Sequence, residues 1–178
     1  MDNGASSYRR FLNGDEAAFD DLMEELFRGL VFFIDRYVHD THAAEDIAID
    51  TFSDLIVHRH RYNFKVSLKT YLFMVGRSRA LDYIRHRKII DFSELSEAEG
   101  VSDEQSLEET VLADERKRTV NAALAKLPED MRMAVHLIYF EEMTYEEAAK
   151  VMKKNRKQVD NLLYRAKKEL RIILGEDG

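Results

Sequence analysis

The sequence predicts an all-α protein of two small helical domains joined by an acidic flexible linker, the second domain carrying a helix-turn-helix. Three observations support this. One proline and seven glycines among 178 residues favour helices over short strands and turns. Apolar residues recur at helical spacing in both halves of the chain. Between these halves, residues 89–115 hold ten acidic residues and no basic one. The predicted domains are therefore residues 1–90 and 114–178, with the linker at 91–113.

Charge is distributed unevenly along the chain. The net charge is −7, yet residues 59–88 hold nine basic residues against one acidic, and residues 116–178 hold fourteen against ten. Two basic blocks separated by acidic ones indicate two separate polyanion contacts, since a solvated surface usually mixes both signs. The absence of cysteine excludes a disulfide framework, and no apolar run approaches membrane-spanning length. We expect a soluble, cytoplasmic protein without membrane insertion.

The helix-turn-helix is predicted near the end of the chain. Pro128 is placed as the first residue of one helix. Thr144 and Glu147 fit a capping box ahead of a short helix over residues 145–152, and Asn155 fits the cap of a longer one. The apolar stripe of that last helix consists of Val159, Leu163, Ala166, Leu170 and Ile173.

The opposite face of the last helix is basic. It carries Arg156, Lys157, Asn161, Arg165 and Lys168. Arginine and asparagine hydrogen-bond base edges bidentately and lysine neutralises phosphate, so this face favours DNA reading. On periodicity alone, an ordinary helical hairpin with a solvated charged face remains the alternative.

Helices are also predicted upstream. In the first domain, Asp15 is the expected N-cap of a long amphipathic helix, a second helix begins near Ala43, and a third runs from Leu68 to Lys88 with a basic outer surface. The second of these is predicted to bury Ile47, Thr51, Phe52, Leu55 and Ile56. A helix from Glu115 to Lys126 opens the second domain and is predicted to bury Val120, Ala123, Leu124 and Leu127.

Residues 58–67 lack helical periodicity and mix basic with aromatic side chains. Such a loop suits single-stranded nucleic acid, because unstacked bases lie on aromatic rings while basic side chains follow the phosphates. We assign Asn63 to a base edge and Tyr62 or Phe64 to stacking. Arg61 and Lys65 are assigned to phosphates.

Two alternatives apply to this loop. Phe64 is also compatible with packing into the core, which would leave the loop a simple connector. His58 and His60 are compatible with a metal site, but no spaced third ligand or carboxylate pair accompanies them. We therefore expect no metal and no cofactor.

The chain resembles the extracytoplasmic-function sigma factors, the smallest sigma subunits of bacterial RNA polymerase. Four stretches carry the resemblance: residues 14–19, 44–52, 71–85 and 127–166. They are similar, in order, to the opening of the first conserved helix, the polymerase-binding helix, the helix for the minus-ten promoter element and the helix-turn-helix for the minus-thirty-five element. The resemblance also places Arg61 to Ser67 in the loop that captures a flipped minus-ten base.

The resemblance implies a function and a set of site residues. The protein would confer promoter choice on core RNA polymerase, without catalysis of its own, through the clamp helices of the largest subunit and the flap. An anti-sigma factor is an expected partner. The implied polymerase-binding residues are Glu45, Asp46, Ile49, Asp50 and Asp54. The DNA-binding residues in the first domain are Arg61, Tyr62, Asn63, Phe64, Lys65, Lys69, Arg77, Arg79 and Arg85. Those in the second are Arg156, Lys157, Gln158, Asp160, Asn161, Tyr164, Arg165 and Lys168.

Several residues depart from the family pattern. Ile49 stands where glutamine is frequent, which affects the expected polymerase contact. Lys153 and Lys154 stand at turn positions where glycine and an apolar residue are usual. Asp160 and Leu162 stand where basic residues are common; aspartate accepts from cytosine, and leucine contacts the thymine methyl group. The promoter sequence therefore does not follow from the resemblance.

Two other classes of protein compete with the sigma factor. A free-standing helix-turn-helix regulator that binds operator DNA as a dimer would explain the second domain but not the basic, aromatic block at residues 59–88. A metal-dependent hydrolase using His58 and His60 would need a nucleophile, base and orienting group, and the sequence supplies no such set.

Overall fold

The structure is a computed structural model that describes residues 4–93 and 115–175. The chain divides into two compact units, residues 1–105 and residues 106–178. All regular structure within the described ranges is helical, which confirms the predicted all-α class.

The first unit contains four described helices: α1 (Ala5–Leu12), α2 (Ala17–Val38), α3 (Thr41–Val57) and α4 (Leu68–Ser93). α2 packs against the other three, and α3 also packs against α4. Large side chains from all four helices form the core, among them Tyr8, Leu22, Phe33, Phe52 and Phe73. Gly76 brings α4 close to α2, because a Cβ atom at this position would lie only 2.9 Å from Leu30 Cδ1.

The second unit contains α5 (Glu115–Ala125), α6 (Glu129–Val135), α7 (Tyr145–Met152) and α8 (Arg156–Leu174), and a π-helical turn over His136–Phe140 continues α6. α8 packs against α5, α6 and α7. The buried side chains in the core of the second unit include Leu124, Met133, Leu137, Val151 and Leu163. The apolar stripe of α8 follows the prediction, with Leu170 and Ile173 half-buried at its end.

The helix starts of the helix-turn-helix are largely those predicted. Thr144 Oγ1 accepts from the N–H of Glu147 at 3.2 Å, and the Glu147 carboxylate accepts from the N–H of Thr144 at 2.8 Å. Asn155 caps α8 as expected and forms the same reciprocal pair with Gln158. Pro128 is the N-cap of α6 rather than its first helical residue, because its ψ of 146° is extended.

The first unit begins differently from the prediction. α1 was not predicted. The expectation that Asp15 caps α2 is wrong: the N-cap is Glu16, with no side-chain hydrogen bond, and Asp15 Oδ2 accepts from Arg10 Nη2 at 2.7 Å. An ion pair with α1 therefore replaces the capping bond.

Two apolar side chains predicted to face inward are exposed, namely Ile56 (40%) and Val120 (42%). Both are only partly covered, whereas Leu55 (3%) and Leu124 (4%) on the same helices are buried. α4 continues to Ser93, three residues into the predicted linker. The other linker positions, residues 94–113, lie outside the described residues, so the linker remains a prediction.

Candidate nucleic-acid and polymerase interfaces

The outer face of α8 is the first candidate DNA-binding surface. Val159, Leu163 and Ala166 are buried, and this turns the opposite side of the helix to solvent. The predicted side chains that are exposed are Arg156, Lys157, Gln158, Asp160, Asn161, Tyr164, Arg165 and Lys168. The helix therefore places basic, amide and aromatic groups on one surface, while Leu162 is half-buried beside them.

Two members of this set have structural partners. Arg156 Nη1 lies 2.8 Å from Glu146 Oε1, and its guanidinium lies 5.7 Å from the ring centroid of Tyr145. Gln158 Oε1 accepts from the N–H of Asn155 at 2.9 Å, so this side chain completes the helix cap. Sequence reasoning assigned Gln158 to DNA alone, although its position three residues after Asn155 is the signal for a capping box.

The turn between α7 and α8 accommodates its two lysines in different ways. Lys153 has a φ of 54° in the left-handed region, the conformation for which glycine is usual. The N–H of Lys154 donates to the carbonyl oxygen of Ala149 at 2.9 Å, which satisfies the end of α7. Lys154 Nζ lies 3.2 Å from Asp130 Oδ2 on α6, so an ion pair stands where an apolar contact is usual.

The loop between α3 and α4 is the second candidate surface. Tyr62 is only 4% exposed, and its hydroxyl donates to the carbonyl oxygen of Val66 at 2.5 Å. Its ring centroid lies 5.1 Å from that of Tyr71 and 4.7 Å from that of Phe64. The alternative that Tyr62 stacks on a base does not fit this arrangement, because its ring lies beneath the loop surface.

Phe64 occupies an intermediate position. It is half-buried and has a φ of 62°, which is unusual for a non-glycine residue. The guanidinium of Arg9 lies 4.7 Å from its ring centroid, and the ring of Tyr8 lies 6.1 Å away. One side of Phe64 therefore packs against α1, and the side chain remains partly accessible.

Asn63 and Lys65 are both exposed. Asn63 Oδ1 accepts from the N–H of Lys65 at 3.1 Å, a local bond that shapes the turn. Because the amide oxygen is used in this way, a base-edge contact by Asn63 would come from its NH₂ group.

α1 contacts this loop through the side chain of Tyr8, a role that was not predicted from the sequence. The Tyr8 hydroxyl donates to the carbonyl oxygen of Arg59 at 2.9 Å and lies 3.2 Å from that of Leu55. Burial, aided by the neighbouring Tyr71, raises the pKa of Tyr8. The helical spacing of Tyr8, Phe11 and Leu12 ahead of Gly14 was the available signal for this short helix.

The basic residues of α4 differ in exposure. Lys69, Arg77 and Arg79 are half-buried, whereas Arg85 is exposed and pairs with Asp82 one turn away. Arg77 Nε donates to the hydroxyl of Tyr37 at 3.3 Å. The predicted basic surface is therefore present, with parts of it already held by neighbouring side chains.

Asp54 lies among these basic groups. Its side chain is 13% exposed, and Oδ1 lies 2.8 Å from His58 Nδ1 and 3.7 Å from Arg79 Nη2. Arg61 Nη1 donates to both of its oxygens, at 3.0 and 3.3 Å. Burial alone would raise the pKa of Asp54, but the hydrogen bond from His58 and the charges of Arg61 and Arg79 together lower it.

The exposed face of α3 is the candidate polymerase-binding surface. Asp46, Ile49 and Asp50 are exposed, and Glu45 is half-buried. Asp54 does not share this face, because its carboxylate is directed to Arg61 in the loop and to Arg79 on α4. Ile56 and Val57, which are 40% and 72% exposed, extend the α3 surface with apolar groups.

A shallow cleft of about 460 Å³ lies between α3 and α4, lined in part by Asp50, Arg79 and Tyr83. Within residues 4–93 and 115–175, no group of three histidine, cysteine or acidic side chains could hold a metal ion. Among the helices described, none is long and apolar enough to cross a membrane.

Two family models match the chain, "Sigma-70 region 2" over residues 28–89 and "Sigma-70, region 4" over residues 117–170. The ECF RNA polymerase sigma factor SigM of Bacillus subtilis is 26% identical over 155 residues, covering 86% of this chain and 93% of that protein. The RNA polymerase sigma-H factor of Pseudomonas aeruginosa is 31% identical over 172 residues, covering 90% of this chain and 88% of that protein. The chain belongs to the sigma-70 family, in its extracytoplasmic-function group.

The fold of this sigma factor is shared with solved structures. It resembles the sigma factor RpoE of Bartonella quintana, crystallised with the anti-sigma factor NepR, with a TM-score of 0.67 and 22% identity over 90% of this chain and 98% of that one. CnrH, solved with the cytosolic domain of CnrY, gives a TM-score of 0.64 and 20% identity over 99% of this chain and 97% of that one. The α3–α4 loop lies within the region 2 match and α8 largely within the region 4 match, whereas α1 precedes both.

Proposed function

We propose that this sigma factor directs core RNA polymerase to promoters through one DNA contact in each unit, and initiates transcription there without catalysing a reaction itself. The observation that carries the proposal is the coincidence of each basic surface with a matched sigma-70 region. The loop and the basic residues of α4 lie within the region 2 match, and the outer face of α8 lies within the region 4 match.

In the upstream contact, α8 lies in the major groove at the minus-thirty-five element. Asn161 reads a base edge, because an exposed amide can bond adenine bidentately, and Asp160 accepts from cytosine. Arg165 and Lys168, also exposed, lie on the same helix for phosphate contacts. Arg156 joins them when its ion pair with Glu146 opens.

In the downstream contact, the loop holds one unpaired base of the minus-ten element. Flipping a base costs a few kcal/mol, which ring stacking and an edge hydrogen bond can offset. Phe64 provides the ring, since Tyr62 is buried, and Asn63 provides the amide NH₂ group. Lys65 and the basic side chains of α4 follow the phosphates.

The contact with core polymerase uses the exposed face of α3. Asp46 and Asp50 supply negative charge, and Ile49 supplies an apolar centre at the position where a polar residue is frequent. A docking surface that combines an apolar centre with a charged border is typical of protein interfaces. We place the clamp helices of the largest subunit on this face, with the flap as the partner of the second unit.

An anti-sigma protein is the remaining proposed partner. Support comes from the two similar structures, which contain the anti-sigma factor NepR in one case and the cytosolic domain of CnrY in the other. The free-standing regulator is not favoured, because it leaves the region 2 match without a role. Co-purification with core polymerase tests this choice: a sigma factor is retained, and an operator-binding dimer is not.

Permanganate footprinting of holoenzyme on a target promoter tests the downstream contact. Phe64→Ala and Asn63→Ser should lose thymine reactivity on duplex DNA and regain activity on a pre-melted bubble. Serine keeps an oxygen that can accept from the Lys65 N–H, so Asn63→Ser removes the amide but not the turn. His60→Ala, also an exposed loop position, is the control. Unchanged reactivity in both variants would exclude the proposed base capture.

A further inference from the structure

Asp54 connects three parts of the first unit. It lies in the last turn of α3, and its polar neighbours are His58 at the end of that helix, Arg61 in the loop and Arg79 on α4. The carboxylate on α3 thus contacts both a loop side chain and an α4 side chain, and it links the loop to the two flanking helices.

This arrangement differs from an ordinary surface ion pair. An exposed pair contributes little to stability, because water competes and two long side chains must be ordered. Asp54 is 13% exposed and has two guanidinium groups and a histidine ring nitrogen within 4 Å, so its charge is partly withdrawn from water and compensated from several sides. Removing it would leave Arg61 and Arg79 close together without the anion between them.

The geometry leaves Arg61 available for a ligand. Both of its hydrogen bonds to Asp54 use Nη1, and its side chain is 56% exposed. A guanidinium has five N–H donors in a fixed fork, so one end can be held while the others are directed outward. Asp54 therefore fixes where the charge lies without covering it.

In a competing role, the Asp54 carboxylate would occupy the place of a DNA phosphate on Arg61. It would then block Arg61 until DNA displaced the carboxylate. That role predicts a mostly covered guanidinium, and the exposure of Arg61 argues against it. Ordering a charged side chain before binding lowers the entropy lost on binding, which favours a positioning role.

We propose that Asp54 is a positioning residue for promoter opening, which acts through Arg61 and Arg79 by fastening the loop to α4. The proposal rests on the proposed function of the loop. It assigns to Asp54 a role in which neither DNA nor polymerase is contacted directly.

A mutant cycle tests this in reconstituted holoenzyme, with open-complex formation on duplex promoter as the readout. Asp54→Asn should lower open-complex formation about tenfold, and a pre-melted bubble should restore it. Asp54→Glu, which keeps the charge, should recover most of the activity. In the Arg61→Ala background, Asp54→Asn should add less than about twofold, because residues acting through one another are non-additive. Glu24→Gln, an exposed carboxylate on α2, is the matched control.

Three outcomes would overturn the proposal. One is a fully additive loss in the double variant when every variant remains active on the pre-melted bubble, which shows that the proteins are folded. Another is an Asp54→Asn protein that opens promoters normally while Arg61→Ala does not. The third is tighter DNA binding by Asp54→Asn, which would indicate a charge block. If Arg61→Ala, Phe64→Ala and Asn63→Ser all opened promoters normally, the proposed function of the loop itself would fail.

Discussion

Arg156 Nη1 and Glu146 Oε1 lie 2.8 Å apart, joining the start of α8 to the start of α7. Both side chains are exposed, at 68% and 58%, so this pair contributes little to stability. Its consequence concerns DNA instead. An arginine at the tip of the reading helix carries its own counter-charge, and a phosphate must compete with that carboxylate for the guanidinium.

Glu146→Gln should therefore strengthen binding to all promoter sequences about two- to fivefold, with the largest gain at low salt. Fluorescence anisotropy of holoenzyme with labelled promoter DNA across a salt series measures this. The gain should vanish when Glu146→Gln is combined with Arg156→Ala. An equal gain in that double variant would show that Glu146 acts through general charge and not through Arg156.

Asn161 and Lys168 lie on the same exposed face but should affect recognition differently. Asn161→Ala should cost about 1–3 kcal/mol at one base position and relax selectivity there, because a bidentate contact is lost. Lys168→Ala should weaken all sequences alike and reduce the salt slope by about one. Selection from a randomised minus-thirty-five library distinguishes the two. An unchanged base preference with Asn161→Ala would mean that the reading face is assigned wrongly.

Lys153 has a left-handed backbone with a φ of 54°, at a helix end where glycine is favoured. Lys153→Gly should raise the free energy of unfolding by about 0.5–1 kcal/mol, since relief of this strain exceeds the extra unfolded-state entropy of glycine. Thermal unfolding of the full chain, followed at the transition of the second unit, measures the change. Lys153→Ala keeps the Cβ and should give no gain; equal stabilisation by alanine would point to the lysine charge instead.

Asp54 should also affect how the folding stability of the protein declines at low pH. Its pKa is lowered from 3.8 in the folded protein, so the unfolded chain binds the proton more readily, and stability rises with pH through this range. The contribution is present above about pH 4 and is lost as pH falls through the folded value. Melting temperatures between pH 7 and about pH 3 should decline less steeply for Asp54→Asn than for the parent. Parallel curves would show that the charge interactions contribute nothing to folding.

The two predicted domains should each fold alone. Residues 1–90 and residues 114–178 each have a buried core, and the deletion removes only the last exposed turn of α4 from the first fragment. Circular dichroism of the separate fragments should show two cooperative thermal transitions. A fragment that melts without cooperativity would place the domain boundary elsewhere.

The parts of the fold set by local chemistry were predictable. The start of α7 depends on Thr144 and Glu147, and that of α8 on Asn155, all within four residues of the bonds they make. Sequence patterns contain such short-range information directly. The outer face of α8 followed for the same reason, because helical periodicity alone separates it from the buried stripe.

The parts set by distant residues were not predictable. Tyr62 packs against Tyr8 on α1, and Asp54 lies beside Arg79 on α4; both neighbours belong to helices distant in sequence from the residue they contact. Composition indicated an aromatic and basic loop, but it did not distinguish rings that support the loop from one that is accessible. The short α1 is a different case: the spacing of Tyr8, Phe11 and Leu12 indicated a helix, but Gly4, its N-cap, has no side chain to mark where it begins.

The support of the loop by α1 limits how this protein can be re-engineered. Promoter specificity is an attractive trait to transplant, and residues 59–67 form a short, continuous cassette. That cassette would arrive in a new host scaffold without the Tyr8 hydroxyl that donates to the Arg59 carbonyl and without the Arg9 guanidinium that packs on one side of Phe64. A working chimera must therefore exchange α1 together with the loop, as two separate segments of one functional graft.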